Sequence, residues 1–269
     1  MIPKKLKAKT IKAIKKHAEQ GYPNEVCGVV VMTSTGEQYV ECVNLSSDPT
    51  QEFQMCPESY VKAEELGEVV GIVHSHPDGT SYPSDTDLAV MNNSYEIQLM
   101  VDPTSKPIPW HIVSWPEGDY QQVLPEDIGL IGKDFIHGLN DCWAACEAYY
   151  RKYHNLEFPR YEREDLWWEN ANSTSLYEKN FKEAGFYAVE DYKPGDMIVM
   201  QIGKSHFPNH AGIYLGETKE FEGREFYASP LMYHHMYNRK SEVVVYGGQW
   251  LQRTRLILRH KGVKHGNVD

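Results

Sequence analysis

Two histidines and an aspartate lie close together in the first half of the sequence, in the segments His74-Ser75-His76-Pro77 and Ser84-Asp85-Thr86-Asp87. Residues two apart on a strand point to the same side, so His74 and His76 can present two imidazoles to one ion. Asp87 follows, one turn into the next predicted helix. Two neutral imidazoles and one carboxylate are a common ligand set for catalytic zinc, which keeps a fourth position for water. These residues therefore predict a Zn²⁺ site.

Hydrolysis at such a site also needs a base that moves a proton from water to the leaving amine. Glu25, in Pro23-Asn24-Glu25-Val26-Cys27-Gly28, lies just before a predicted strand and is the candidate for that base. Ser84 has two compatible predicted roles, because its hydroxyl can cap the helix that carries Asp87 or donate to the oxyanion of a tetrahedral intermediate.

The five residues together resemble the JAMM (MPN+) metallopeptidase signature in order and spacing, over residues 1–115. They are Glu25, His74, His76, Ser84 and Asp87. The resemblance implies an α/β deaminase-like sandwich, a bound zinc ion and cleavage of amide or isopeptide bonds. It also implies that the two histidines and the aspartate are the ligands, that the glutamate is the acid/base and that the serine is the oxyanion donor. No motif position is lost, which argues against a degenerate domain that keeps only the fold.

A second kind of chemistry is indicated at Cys142 in the other half of the chain. A catalytic cysteine needs thiolate character, which a helix N-terminus and a neighbouring imidazole both favour. Cys142 follows the capping-type pair Asn140-Asp141 and opens a predicted helix that runs to Tyr153. Cys146 lies one turn further along, where the helix dipole has weakened, and is interpreted as a core residue.

Several histidines of the second half can supply the imidazole. His210 is the strongest candidate, because it begins a predicted strand after the turn Lys193-Pro194-Gly195-Asp196. A third polar group usually orients such a base. His234 is favoured for that role because it directly follows an apolar run, and His235 is the alternative.

Four segments resemble, in order, the NlpC/P60 family of papain-like peptidases over residues from about 130 to 260. They are Asn140-Asp141-Cys142, Pro159-Arg160, Pro194-Gly195-Asp196 and His210-Ala211-Gly212-Ile213-Tyr214-Leu215-Gly216. The resemblance implies an α+β papain-like domain that cleaves peptidoglycan stem peptides next to D-glutamyl or diaminopimelyl residues. Two features depart from the pattern. Trp143 stands where many members have a small serine, and an insertion from Glu217 to Pro230 leaves the choice between His234 and His235 open.

A JAMM domain followed by an NlpC/P60 domain resembles the tail-tip assembly proteins of long-tailed bacteriophages. The resemblance implies action in tail assembly and cell-wall penetration, a location at the virion tail tip, and other tail-tip proteins as partners beside peptidoglycan stem peptides. Two alternatives stay open. One is a structural tail-tip component in which one or both sites are inactive, and the weaker one is an isopeptidase activity carried by the first half alone.

The elements that must position these residues fall into two predicted domains, 1–115 and 134–269, joined by a linker at 116–133 with no clear periodicity. The first half mixes helix and strand patterns, which predicts an α/β domain. The second half has helices followed by strands, which predicts an α+β domain. The predicted elements include a Lys-rich helix at 4–17, a helix at 165–170, and strands at 97–101 and 225–227.

Composition excludes several classes of protein. The 269 residues are 41% apolar and 24% charged, which is typical of globular proteins. The net charge of −11 argues against a nucleic-acid binder, which needs a basic surface. No apolar run reaches the roughly 18 residues of a membrane span, and the Lys-rich start has no apolar core of a signal peptide. We therefore expect synthesis and folding in the host cytoplasm, with the five cysteines reduced.

Overall fold

The structure is a computed structural model that describes residues 5–159, 161, 163–164, 166–172 and 174–263. Lys4 of the predicted basic helix, Arg160 of the Pro159-Arg160 motif and Asp165 of the predicted helix at 165–170 lie outside the described residues. The chain divides into two compact units, Met1–Asp127 and Ile128–Asp269. In the described part of the chain, no helix has the length and apolar character to cross a membrane.

A five-stranded sheet organises unit 1. In chain order the elements are α1 (Ala8–Gly21), β1 (Cys27–Thr33), β2 (Gly36–Cys42), α2 (Pro57–Glu64), β3 (Glu68–Pro77), α3 (Asp85–Val101), β4 (Trp110–Trp115) and β5 (Tyr120–Val123). The strand order is β2-β1-β3-β4-β5, and β3 and β4 form a parallel pair. Ile14 and Ala18 of α1 pack on one set of buried sheet residues, and Ala63 of α2 packs on another. Both helices therefore cover apolar sheet surface.

The predicted strand at 97–101 is wrong, because these residues are the last turns of α3. The segment is rich in apolar residues, which suggested a buried strand. In the structure Ile97 is 45% exposed and Val101 is 85% exposed, so their side chains do not contribute to a core. No proline or glycine lies between the start of the helix and Asp102, and the helix continues until that residue adopts an extended conformation.

The segment predicted as a linker at 116–133 contains a strand. β5 pairs antiparallel with β4, from Trp110 opposite Val123 to Val113 opposite Tyr120. Pro116 and Gly118 belong to the turn of this hairpin, where Gly118 has a φ of 74° and donates its N–H to the carbonyl of Ser114. Turn residues alone did not distinguish a hairpin from a linker.

A six-stranded antiparallel sheet organises unit 2. Its elements are α4 (Cys142–His154), a 3₁₀ helix (Trp167–Glu169), α5 (Leu176–Asn180), β6 (Phe186–Val189), β7 (Met197–Met200), β8 (His210–Gly216), β9 (Glu220–Phe221), β10 (Arg224–Glu225), β11 (Leu231–His235), β12 (Ser241–Val245), α6 (Gln249–Arg253) and β13 (Thr254–His260). The order is β12-β11-β8-β7-β13-β6. Cys146 and Tyr150 of α4 share one core with Ala211 and Ile213 of β8.

Both units thus mix helices with sheets, as the sequence predicts. The predicted strand at 225–227 is reduced to the two-residue strand β10, which pairs only with β9. The predicted helix at 165–170 is described as one 3₁₀ turn, Trp167–Glu169. Strands β6 and β11 were not predicted, although β11 carries the two histidines that the sequence left as alternatives.

Candidate functional site

His74, His76 and Asp87 converge in unit 1. The two histidines lie near the end of β3 and the aspartate lies in the first turn of α3. The two Nε2 atoms are 2.9 Å apart. The Nε2 of His74 is 3.2 Å from Oδ1 of Asp87, and the Nε2 of His76 is 3.2 Å from Oδ2. The ligand atoms all lie within 4.8 Å of one another, and no second group of this kind occurs among the described residues.

These separations fit a small tetrahedral ion. Ligand atoms about 2.0–2.1 Å from a tetrahedral zinc ion are about 3.3 Å from each other. The three measured separations, 2.9, 3.2 and 3.2 Å, are close to that value. Only small movements of the side chains would be needed to place one ion between the three donor atoms. The residues present therefore fit the metal that the sequence predicts.

The surroundings of the two imidazoles orient them for metal binding. The carbonyl oxygen of Thr80 lies 2.7 Å from Nδ1 of His76, and a carbonyl can only accept, so Nδ1 carries a proton and Nε2 is the nitrogen that faces Asp87 and would ligate an ion. Burial acts to lower the pKa of His76, but the hydrogen bonds to Asp87 and Thr80 outweigh it and raise that pKa. Burial lowers the pKa of His74, which keeps its ring neutral. Phe53 stacks on the His74 ring at a centroid distance of 4.7 Å, and Trp110 contacts it edge-on at 5.6 Å. The Nδ1 of His74 has no hydrogen-bond partner among the described residues. The contacts with the two aromatic rings therefore help to hold this imidazole in place.

Ser84 forms a reciprocal cap with Asp87. Its Oγ accepts the Asp87 N–H at 3.0 Å and donates to Oδ2 of Asp87 at 2.7 Å. The Ser84 N–H donates to the same oxygen at 2.8 Å. Burial by itself would raise the pKa of Asp87, but the hydrogen bonds from His74, His76 and Ser84 outweigh it and hold the pKa well below its usual value. In this arrangement the Ser84 hydroxyl donates its proton to Asp87 and cannot donate it to another acceptor.

Glu25 reaches the triad through strand pairing. Cys27 lies opposite His74 in the antiparallel pair of β1 and β3, and the same register extended by two residues places Glu25 opposite His76. Its backbone is held by the Pro49 carbonyl and the Asn44 side chain. Burial raises the pKa of Glu25 to about 7, and His76 counteracts the shift. A carboxyl group with this pKa can both accept and return a proton near neutral pH.

Cys142 is the first residue of α4 in unit 2. Asp141 caps this helix by accepting the Ala144 N–H at 2.9 Å, and its carboxylate is paired with Arg163 at 2.7 Å. The thiol lies 3.3 Å from the Tyr177 hydroxyl and 3.9 Å from the Asn209 carbonyl oxygen. Burial raises the pKa of Cys142 to about 11. The cysteine is therefore a protonated thiol in this arrangement.

His210 forms a hydrogen-bonded pair with His234. The Nε2 of His210 is 2.9 Å from Nδ1 of His234. Gly212 lies directly opposite His234, and a Cβ there would lie 3.0 Å from the Cβ of His234 and 2.9 Å from the Tyr233 carbonyl oxygen, so a side chain at this position would crowd β11 beside His234. His235 points away from this pair, and its Nε2 bonds to the Arg239 carbonyl. Burial lowers the pKa of His234 to about 4, and burial also lowers that of His210.

Cys142 and His210 line one pocket, together with Tyr177 and Asn209. The thiol is not hydrogen-bonded to His210: its partners among the described residues are Tyr177 and Asn209. Asn209 immediately precedes His210, so the thiol lies beside the start of β8. Trp143 lines the same pocket. Its large side chain, where many members of the resembled family have a small serine, would therefore change the shape of this pocket. The structure thus brings Cys142 and His210 to one pocket, with His234 behind His210, but shows no hydrogen bond between the thiol and the imidazole.

Three further residues of the sites escaped prediction from the sequence. Tyr177 contacts the thiol, Arg163 pairs with the capping aspartate and Phe53 stacks on His74. Each comes from a segment distant in sequence from the residue that it contacts, and no local pattern marks it. Only the tertiary fold reveals them.

Comparisons with known proteins divide the chain in the same order. Residues 7–119 match the family model described as prokaryotic homologs of the JAB domain, and residues 132–259 match the NlpC/P60 family. The chain is 40% identical over 261 residues to the tail tip assembly protein K of Escherichia phage N15, which covers 96% of this chain and 97% of that protein. It is 31% identical over 210 residues to the tail tip assembly protein K of Escherichia phage lambda, covering 77% of this chain and 89% of that protein.

Proposed function

Since this chain belongs to the tail tip assembly protein K family, we propose that it is a phage tail-tip peptidase with two hydrolytic sites. The first site cleaves amide or isopeptide bonds with a zinc ion. The second cleaves peptidoglycan stem peptides with a cysteine nucleophile. Both act in tail assembly and cell-wall penetration, with other tail-tip proteins as partners and the virion tail tip as the location. The order of the Prok-JAB and NlpC/P60 domains supports this assignment.

The convergence of His74, His76 and Asp87 is the observation that carries the metal site. A bound Zn²⁺ supplies Lewis-acid polarisation of a carbonyl and activation of water. Glu25, with a pKa of about 7, takes a proton at its carboxylate and returns it to the leaving amine. Ser84 fixes the orientation of Asp87 through its cap. If Ser84 also donates to an oxyanion, its hydroxyl must first leave Asp87.

The cysteine site requires one side-chain rearrangement. Cys142 is protonated and bonded to Tyr177, whereas His210 is neutral and bonded to His234. Substrate entering the shared pocket displaces the Tyr177 contact and turns the thiol toward His210. The imidazole then takes the thiol proton as sulfur attacks the carbonyl carbon, and gives that proton to the leaving amine as the C–N bond breaks. Water, losing a proton to the same imidazole, then hydrolyses the resulting thioester, and the imidazole returns the proton to sulfur. Hydrogen bonds of this kind are often absent before substrate binds.

Zymography on purified peptidoglycan with the full chain tests the cysteine site. Cys142→Ala is expected to abolish lysis, and Cys56→Ala, which alters a partly exposed cysteine in unit 1, is the matched control. Undiminished lysis by Cys142→Ala rejects the mechanism. For the first site, elemental analysis is expected to find zinc in the wild-type chain and a loss of zinc in His76→Ala.

A structural tail component with inactive pockets is the second candidate function. The contact of the thiol with Tyr177, and its raised pKa, favour this alternative. It is supported if the purified chain binds no zinc and if iodoacetamide labels Cys142 no faster than Cys56. Either zinc binding or selective labelling of Cys142 leaves the corresponding site as a functional one.

A further inference from the structure

A glutamate lies behind the imidazole pair of the cysteine site. β11 runs between β8 and β12, with His234 opposite Gly212 on one side and opposite Glu242 on the other. Directly opposed residues share a face of the sheet, and so do residues two apart on one strand. His210, His234 and Glu242 therefore form a row on one face across three adjacent strands.

The outer nitrogen of His234 is buried without a partner. Its Nδ1 is engaged by His210, but its Nε2 has no hydrogen bond among the described residues. The nearest carboxylate oxygen, Oε1 of Glu242, is 3.9 Å away. The Glu242 side chain is 46% exposed, and a shift of this oxygen by about 1 Å would bring it to hydrogen-bond distance. Trp250 packs edge-on against the His234 ring at 4.8 Å and restricts the ring's own movement.

We infer that Glu242 is a positioning residue that sets the tautomer of the His210–His234 pair, an inference that rests on the proposed cysteine peptidase function. A carboxylate only accepts, so Glu242 places the His234 proton on Nε2. The lone pair on Nδ1 of His234 then accepts the proton on Nε2 of His210. This leaves Nδ1 of His210 with a lone pair, which is the form that can take the proton of the Cys142 thiol.

The opposite tautomer disables the site. If the His234 proton sits on Nδ1, it is donated to Nε2 of His210, and the proton of His210 must occupy Nδ1. That nitrogen then has no lone pair to accept a proton from sulfur. When the S–H bond breaks and the N–H bond forms at His210, the resulting positive charge is also stabilised by the Glu242 carboxylate through His234. The other ionisable groups that act on His234 are His210 on β8, His235 on β11 and Arg239 in the turn to β12.

Glu242→Gln in the full chain tests the inference, with Glu225→Gln as the matched control on an exposed glutamate of the same unit. We measure the rate of Cys142 alkylation by iodoacetamide from pH 5 to 10, and the tautomer of His234 by ¹⁵N NMR. Glu242→Gln is expected to slow alkylation near neutral pH by about tenfold, the factor expected for the loss of a hydrogen bond to a charged group, and to move the rate midpoint to higher pH. It also raises the fraction of His234 that is protonated at Nδ1. Glu242→Asp keeps the carboxylate, so its alkylation rate and its His234 tautomer are expected to lie between those of Glu242→Gln and the wild type.

Two failures are distinguishable. If wild-type Cys142 is alkylated no faster than Cys56 and no peptide is cleaved, the proposed function fails, while the NMR tautomer still reports on Glu242. If Cys142 is reactive and Glu242→Gln leaves both the pH profile and the His234 tautomer unchanged, Glu242 has no positioning role.

Discussion

Replacing Ser84 with alanine separates the two roles that the sequence allows for this residue. The hydroxyl accepts the Asp87 N–H at 3.0 Å and donates to Oδ2 of Asp87 at 2.7 Å. Ser84→Ala removes both hydrogen bonds but keeps the one from the Ser84 N–H at 2.8 Å. The carboxylate therefore loses one of its two restraints at the helix N-terminus, and a metal ligand becomes less well oriented.

Two effects of different size follow. Loss of an N-cap side chain costs about 1 kcal/mol of stability. Loss of a hydrogen bond that orients a metal ligand typically lowers metal affinity by about 10–100-fold, or about 1.4–2.7 kcal/mol. We expect this decrease for Zn²⁺ in a competition titration against a chromophoric chelator. We also expect a decrease of about 1 kcal/mol in the unfolding free energy of the metal-free chain.

Controls identify the cause of the change. Ser84→Thr keeps the hydroxyl and is expected to bind zinc like the wild type. Ser175→Ala removes another N-cap, one that accepts the Glu178 N–H at 3.2 Å at the start of α5, and is expected to leave zinc affinity unchanged. If Ser84→Ala binds zinc as tightly as the wild type but loses peptidase activity, Ser84 is an oxyanion donor and does not orient Asp87 for metal binding.

Three other substitutions test buried interactions in the two units. Burial raises the pKa of Glu25 to about 7. The contribution of Glu25 to the stability of the metal-free fold is therefore complete below the ordinary pKa of 4.5 and is lost as pH rises through 7. Glu25→Gln should remove this pH dependence from the free energy of unfolding measured in urea. Asp196 is fully buried and forms hydrogen bonds of 2.8 and 2.9 Å with Arg259. Asp196→Ala should therefore lower the free energy of unfolding by about 3–5 kcal/mol in a denaturant titration. A decrease below about 1 kcal/mol would contradict this expectation. Phe53→Ala should weaken zinc binding about tenfold, because the His74 ring loses the ring that stacks on it. Phe53→Leu should weaken zinc binding by a smaller factor. If a chelator titration gives both variants the zinc affinity of the wild type, the stacking is unimportant.

The metal triad was accessible from the sequence because its parts are local. His74 and His76 share one strand, and Asp87 shares a capped helical turn with Ser84. Strand alternation and the helix cap therefore determine most of their relative positions. Glu25 depends on the long-range register of β1 against β3, which the sequence does not encode in any one segment; its place before a predicted strand made it a candidate, but its position beside the triad could be anticipated only from the motif.

The cysteine site was less accessible for the same physical reason. Cys142 could be placed by its helix cap, and His210 by the start of its strand. Choosing between His234 and His235 needed strand β11, which was not predicted, because adjacent residues on a strand face opposite sides. The contact of the thiol with Tyr177 depends on how α5 packs, which no periodic pattern reports.

The two sites share one local device, a helix N-terminus with a carboxylate in or beside its first turn, yet the charge has opposite effects. At α3 the Asp87 carboxylate is itself a candidate ligand, so the positive end of the helix stabilises the charge that binds the ion. At α4 the Asp141 cap favours the start of the helix at Cys142, but its negative charge adds to the effect of burial, which is the main cause of the raised pKa of the neighbouring thiol. Arg163 offsets part of this charge, because its guanidinium bonds both carboxylate oxygens and acts to lower the pKa of Cys142, which still lies at about 11. Asp141 can therefore hold Cys142 at the start of the helix, while Arg163 reduces the repulsion between the Asp141 carboxylate and a thiolate.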